Sequence, residues 1–312
     1  MEEQNWERDA IVKLASAGLQ EQRRARKWGI FFKFLGFAYF GILLFSFIGG
    51  VNKPGMKNPS ERHTALVELV GVIADGEEAS ADNVVAGLRE AFESENSAAV
   101  ILRVNSPGGS PVQSAYINTE ITRLREMYPE KPLYAVIADI CASGGIYVAA
   151  AADEIYANES SIVGSIGVIT GGFGFVEAID KLGVERRVMT AGEHKALLDP
   201  FSPVDSYEQQ HLQSMLDELH QTFIDTVKKG RGDRLKNSPE LFSGLFWSGS
   251  KAMELGLVDG LGSASYVARE IIGEEKIITY TKRQDILERF ADRLGSKVMS
   301  QIRAWMTTPN LQ

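Results

Sequence analysis

The sequence predicts an α/β domain, a sheet covered by helices, preceded by one transmembrane helix. Three observations carry this. Apolar runs of strand length (98–104, 133–138) alternate with helix-length amphipathic stretches, the pattern of βαβ units. One apolar stretch near the amino terminus is as long as a bilayer core is thick. The 312 residues taken together are 44% hydrophobic and 24% charged, ordinary for a chain that folds around a core.

Composition also excludes several function classes. The formal net charge of −8, with no basic stripe, argues against nucleic-acid binding. Cys141 is the only cysteine, so no intrachain disulfide is possible. No His/Cys cluster has metal-ligand spacing, and neither a metal nor a cofactor is expected.

Residues 1–27 form a polar leader that ends in Arg23, Arg24, Arg26 and Lys27. Residues 28–51 follow as the anchor. Its uncharged part, Phe34 to Val51, is 18 residues with five phenylalanines. At the rise of an α-helix it covers about 27 Å of a core of about 30 Å. Lys33 lies near the basic end, where its ammonium can snorkel to the headgroups. A cleaved signal peptide fits less well, because the leader is long, the apolar run exceeds a signal core, and no small-residue cleavage site follows. The basic flank places residues 1–27 in the cytoplasm and everything after Asn52 outside.

Residues 52–64, with Pro54, Gly55 and Pro59, read as a linker that includes His63. The body, 65–282, opens with a strand from Leu66 to Ile73. Asp82 can cap a helix to about Glu95. Strands at 98–104 and 133–138 flank a helix at 111–127, and a helix follows Ser143. Short strands are expected at 154–157, 167–169 and 185–190, and a helix at 175–182. Asp205 to Lys229 is one long amphipathic helix with Leu212, Met215, Leu216, Leu219, Phe223 and Val227 on a face. A strand at 277–280 closes the body, and residues 283–312 form an amphipathic helical tail.

Two turns stand out chemically. Ser106-Pro107-Gly108-Gly109 ends one strand at the mouth of a helix, where N–H groups lack internal partners. Ser143-Gly144-Gly145 ends the next strand in the same way. Each alone reads as a plain strand-to-helix turn, with Ser143 as a helix cap. Side by side, they bring N–H groups of both turns around one hydroxyl, which is the outline of a nucleophile beside an oxyanion hole. A base for Ser143 is then needed. His211 and His220 lie on the long helix as surface residues, leaving His194 and its neighbour Lys195. A lysine acts as base only when neutral, which burial among Ala196, Leu197, Leu198 and Phe201 could bring about. From the residues alone both candidates stand.

Five ordered segments carry a resemblance: Asn-Ser-Pro-Gly-Gly (105–109), Ala-Ser-Gly-Gly-Ile-Tyr (142–147), Gly-Ser-Ile-Gly-Val (164–168), Gly-Glu-His-Lys (192–195) and the stretch from Trp247 to Asp259. In order and spacing they resemble the signal peptide peptidase A family, membrane-anchored bacterial serine proteases of the ClpP/crotonase-like fold. The resemblance implies a βαβ superhelix and a Ser–Lys dyad. Ser143 is then the nucleophile and Lys195 the general base, with Ser165 orienting the lysine amine. Gly109 and Gly144 match the positions whose N–H groups form the oxyanion hole. It implies a ring-shaped homo-oligomer, an octamer for a half-length chain, with nucleophile and base of one site drawn from neighbouring subunits. The implied substrates are remnant signal peptides or other apolar peptides, met at the inner membrane where residues 28–51 contact lipid. The competing readings are a related membrane protease with other clients, a crotonase-fold acyl-CoA enzyme, and a non-catalytic scaffold.

Overall fold

The structure is a computed structural model that describes residues 23–24, 26–42 and 60–282. The chain divides into two units, residues 1–57 and 58–312. In the first, α1 is helical over residues 26–42 with exposed side chains. The predicted anchor is thus helical through residue 42, while 43–51 fall outside the described residues, as do most of the leader, 52–59 of the linker and the tail 283–312. Among the described residues no helix is long and apolar enough to cross a membrane.

The second unit is built on an eight-stranded sheet in the order β6-β5-β3-β2-β1-β8, with β4 and β7 branching from β3. Its centre is β1 (His63–Val70), β2 (Ser97–Ser106) and β3 (Leu133–Ala142), all parallel. Near-continuous apolar runs suit these strands because both of their faces are buried. One face packs on α2 (Ala81–Glu93), α3 (Pro111–Met127) and α4 (Gly144–Ala149). Ala65, Val67, Leu69, Val100, Leu102 and Val104 meet Leu88, Phe92, Ile117, Ile121 and Leu124 there. On the other face, Leu66, Ile101, Val136 and Tyr156 pack against Val267 and Ala268. Those two residues lie in the π-helical turn Val267–Ile272, which continues α8 (Ala264–Tyr266).

β3 serves two neighbours along one edge. Its first half pairs with β4 (Glu154–Ala157), its last residues with β5 (Ile162–Gly164). β4 leads on to β7 (Gly260–Leu261), and β5 pairs antiparallel with β6 (Phe246–Ser248). The split edge leaves the carboxyl end of β3 framed by β2 on one side and β5 on the other.

Several boundaries differ from the sequence reading. His63 belongs to β1 and is fully buried, its Nε2 2.8 Å from the Tyr280 hydroxyl. β8 (Ile277–Thr279) explains this: it pairs with Thr64–Leu66, a neighbour from the far end of the domain that hydropathy cannot reveal. Ser80, not Asp82, is the cap residue of α2. The strand expected at 167–169 lies instead at β5, and 185–190 forms no strand. Val184, Val188 and Met189 are exposed there, so no neighbouring strand covers them. α5 is short, Val176–Lys181.

α6 (Ser206–Arg231) runs the predicted length, capped by Asp205, whose carboxylate accepts the N–H groups of Tyr207 and Glu208. Only its carboxyl end packs on the core: Phe223 and Val227 are buried, whereas Met215 and Leu219 are exposed. Arg231 fastens that end. It is 1% exposed and donates to both Asp259 oxygens at 2.8 Å and to Gly256 O at 3.0 Å. Asp259, which follows α7 (Gly249–Glu254), also accepts the Ile155 N–H. The long helix is therefore tied to the strand branch by one buried ion pair.

Candidate active site

The two glycine turns meet at the carboxyl ends of β2 and β3. A methyl group on Gly108 would lie 2.7 Å from Ser143 Cβ and 2.8 Å from Gly144 N. One on Gly144 would lie 3.3 Å from Gly109 N. Only glycine permits this approach. Neither the Gly109 nor the Gly144 N–H donates to an acceptor among the described residues. Both stand at helix starts, where such groups attract developing negative charge.

Ser143 occupies the cap position of α4 without acting as a cap. Its side chain makes no capping bond, and its backbone is held at φ 50°, ψ −120°. That region disfavours L-residues and costs about 1–3 kcal/mol. The conformation turns the chain sharply between β3 and α4, with Ser143 half-buried rather than enclosed. The plain capping role is thereby removed.

Ser165 is placed beside it. Ala142 and Gly164 are register partners, and the Ser143 N–H donates to Gly164 O at 2.9 Å. Ser165 is itself strained at φ 53°, and its N–H donates to Leu245 O at 2.7 Å. The Trp247 ring packs against Gly164, where a methyl would meet it at 2.9 Å. His220, expected at the surface, is half-buried with its Nε2 3.2 Å from Ile166 O, steadying the same segment from α6.

Lys195 is the exception. It was expected to be buried, and in the single chain it is exposed. Among the described residues its amine bonds to no group, and one chain does not bring it into contact with Ser143 or Ser165. Of the apolar residues meant to bury it, Leu198 is exposed and Ala196, Leu197 and Phe201 are only half-buried, while 169–195 is exposed except at Val176 and Ile179. The loop around it is nonetheless well defined. Asp199 accepts from Phe201 N, Ser202 Oγ and Arg186 Nε. The Phe201 N–H, with the Arg186 ion pair and the Ser202 bond, holds the Asp199 carboxyl below its ordinary range against partial burial. His194 has its Nδ1 3.0 Å from Glu208 Oε1 and lies against Tyr207 on α6. This partnership directs it to the helix rather than to Ser143.

Asn105 and Ser106 stand in the segment 105–109, but the sequence reading gave neither a role of its own. The β2–β3 register shifts between Val104 and Ser106. Asn105 fills that irregularity: its Oδ1 accepts from Ile140 N and its Nδ2 donates to Asp139 Oδ2. The Ser106 hydroxyl donates to Gly71 O and accepts from Gly108 N. Polar residues ending an apolar strand were the available signal. Cys141 is fully buried and its thiol is pushed up by burial, so it is no competing nucleophile. The cleft lined by Arg62, Asn96, Tyr128 and Lys131 lies at the amino ends of β2 and β3, away from these turns.

Comparison with known proteins supplies the context. Residues 126–277 match the sequence model of peptidase family S49. Over 188 residues, 60% of this chain, the sequence is 47% identical to a Brucella abortus protein named "Na(+)/H(+) antiporter NhaA", and the match covers 25% of that protein. It is 34% identical over 207 residues to "Putative protease slr0021" of Synechocystis sp., covering 66% of this chain and 72% of that one. It is 30% identical over 250 residues to "Putative signal peptide peptidase SppA" of Enterococcus faecium, covering 77% and 72%. The chain thus spans about a quarter of the antiporter-named relative and most of the other two.

Proposed function

The chain belongs to peptidase family S49, and from that premise we propose that it is a membrane-anchored serine endopeptidase working through a Ser–Lys dyad. The observation that carries this reading is the convergence at Ser143. A strained serine, bare of capping duty, stands where two glycine turns present unpaired N–H groups.

In this mechanism Ser143 Oγ attacks the scissile carbonyl as its proton passes to the Lys195 amine. The N–H groups of Gly109 and Gly144 receive the oxygen that becomes negative. The lysine then returns the proton to the leaving nitrogen, and water hydrolyses the acyl-enzyme. Ser165 orients the amine. Lys195 comes from a second copy of the chain in a ring-shaped oligomer, an octamer, of ClpP/crotonase-like subunits. The uncovered apolar side chains of the exposed segment 169–195 that ends at Lys195 support this: Ile169 is 93% exposed, Met189 100% and Leu182 77%. Such a surface on a soluble domain marks a contact. The same contact would bury the lysine that one chain leaves in solvent.

Apolar peptides, remnant signal peptides among them, are the substrates. Residues 28–51 hold the enzyme in a bacterial inner membrane with the amino terminus cytoplasmic and the peptidase domain outside. The Phe34, Phe37, Phe40 and Ile42 side chains exposed along α1 are surface that lipid would cover. The test is labelling of the detergent-solubilised protein with a serine-directed covalent probe. Wild type should label, while Ser143→Ala and Lys195→Ala should not, and His194→Ala should keep labelling. Equal labelling of Lys195→Ala and wild type would sink the dyad.

A further inference from the structure

Two consecutive glycines bring the turn after β2 close to Ser143, and the same two glycines leave that turn without side chains to fix it. Glycine loses more freedom on folding than any other residue, so a peptide plane between two of them is easily turned. An N–H that must meet a transition-state oxygen needs a restraint from elsewhere. We propose that the buried hydroxyl of Ser106 is that restraint, a positioning group that sets where the Gly109 N–H lies.

Ser106 is the last residue of β2 and is 0% exposed. A buried hydroxyl must have its hydrogen bonds met within the protein. Ser106 Oγ donates to Gly71 O at 2.7 Å and accepts the Gly108 N–H at 3.1 Å. It therefore ties the segment after β1 to the Pro107–Gly108 peptide, one peptide ahead of the Gly108–Gly109 plane that carries the Gly109 N–H. The same two segments are joined twice more, by backbone alone. The Ile73 N–H donates to Gly108 O at 2.9 Å, and the Ser110 N–H donates to Ile73 O at 2.7 Å.

These bonds surround Gly109 on both sides and leave its own N–H uncommitted. Ser106 contributes the only side chain among them. Without it the Gly108 N–H, in a buried residue, loses its acceptor. The peptide between Pro107 and Gly108 can then turn to seek another, and Gly109 follows. Gly145 sits directly behind, where a methyl would lie 3.1 Å from Ser106 O. The end of β2 is thus braced against α4, and within the turn the hydroxyl holds the Pro107–Gly108 peptide while the Ile73 bonds hold Gly108 O and Ser110 N.

A fully buried Ser106 cannot touch a peptide substrate. Its effect is confined to the state in which the oxyanion has formed, so it should appear in kcat and not in KM. The inference rests on Ser143 as the nucleophile, and the experiment separates the two claims.

Ser106→Ala, Ser106→Thr and Ser143→Ala are prepared as the full chain in detergent and assayed on an apolar peptide. Each is also titrated with a peptide aldehyde, whose adduct with the serine places an oxygen between the two N–H groups. Ser106→Ala should lower kcat by about 10- to 100-fold, less than removal of an oxyanion donor outright, with KM within about twofold. Aldehyde affinity should fall by the same factor as kcat, while a product peptide acid binds as in wild type. Ser106→Thr should restore most of the rate. If its extra methyl group prevents folding, Ser106→Cys takes its place, with a rate between wild type and alanine. A Ser106→Ala enzyme with unchanged kcat, or with aldehyde affinity unchanged while kcat falls, overturns the positioning role. Cleavage that survives Ser143→Ala overturns the nucleophile instead.

Discussion

Gly108→Ala measures how closely the two turns must approach. Gly108 has φ +103°, so an L-residue there carries about 1–3 kcal/mol of backbone strain. Its methyl would lie 2.7 Å from Ser143 Cβ, 2.8 Å from Gly144 N and 2.9 Å from Ala142 O. Carbon contacts are comfortable at about 3.5–4.0 Å, so the turns must part by about 1 Å. None of the three atoms is the loose end of a long side chain, and overpacking adds about 1–3 kcal/mol. The expected loss of stability is about 2–6 kcal/mol, read from urea unfolding. The expected loss of kcat/KM is about 100-fold, the cost of a 1 Å misplacement at a reacting group. Gly273→Ala supplies the contrast. Its φ is +80° with nothing within 4 Å, so it should lose about 1 kcal/mol and keep full activity. A Gly108→Ala enzyme within threefold of wild-type kcat/KM would refute the close approach as a requirement of the reaction.

Two further outcomes follow from the packing. Arg231→Met removes the buried partner of Asp259, leaves the carboxylate only the longer Arg234 contact at 3.4 Å and the Ile155 N–H, and should cost about 3 kcal/mol in urea unfolding, of which a combined Asp259→Leu should recover a large part. Burial raises the Asp259 pKa, but the Arg231 bonds and the Ile155 N–H outweigh it and leave the carboxyl below its ordinary 3.8. Its folded value is below its unfolded one, so its stabilisation is present above the unfolded value and lost as pH falls through the folded one. Stability measured across the acid range should therefore decline less steeply in Asp259→Asn than in wild type. Asn105→Ala removes the side chain that fills the β2–β3 irregularity and should cost about 1–3 kcal/mol, with reduced probe labelling of Ser143 as the end of β3 loosens.

What the sequence made legible was local. The helix at 111–127 was readable because Pro111 stands in its first turn after Ser110, and that serine does accept from Gln113 N. The runs that became β2 and β3 were apolar from end to end. The pairing of the two glycine turns followed from strand adjacency, which βαβ order nearly dictates. Contacts made at a distance left no such mark. His63 looked like linker because its partners, Tyr280 and β8, lie at the other end of the domain. Arg231, just past the expected helix end at Lys229, drew no reading, although it is among the most buried side chains in the fold. Ser106 was read only as part of the turn 106–109, because hydrogen bonds to Gly71 and Gly108 have no signature in hydropathy. Lys195 could be nominated from its motif, but its burial depends on a surface that one chain does not supply.

The strained residues divide the site in a way that bears on this last point. Among the described residues three that are not glycine have positive φ: Ser143, Ser165 and Leu198. Strain at an L-residue persists only where the surroundings hold it. Around Ser143 and Ser165 the surroundings are sheet. Their N–H groups are bonded to Gly164 and Leu245, and fully buried Val163 and Ile166 lie beside Ser165. Leu198, three residues beyond Lys195, sits in an exposed loop held by the Asp199 bonds and by His194 against Glu208. In the proposed mechanism the half of the site with Ser143 is thus complete within one chain, whereas the half with Lys195 is shaped but uncovered. An enzyme built this way would be inert as a monomer, because its serine is poised without a base. Dilution to the monomer should then abolish probe labelling of Ser143 while leaving the fold intact, and labelling should return with concentration. Labelling that is independent of concentration down to the monomer would mean that the base lies within the same chain.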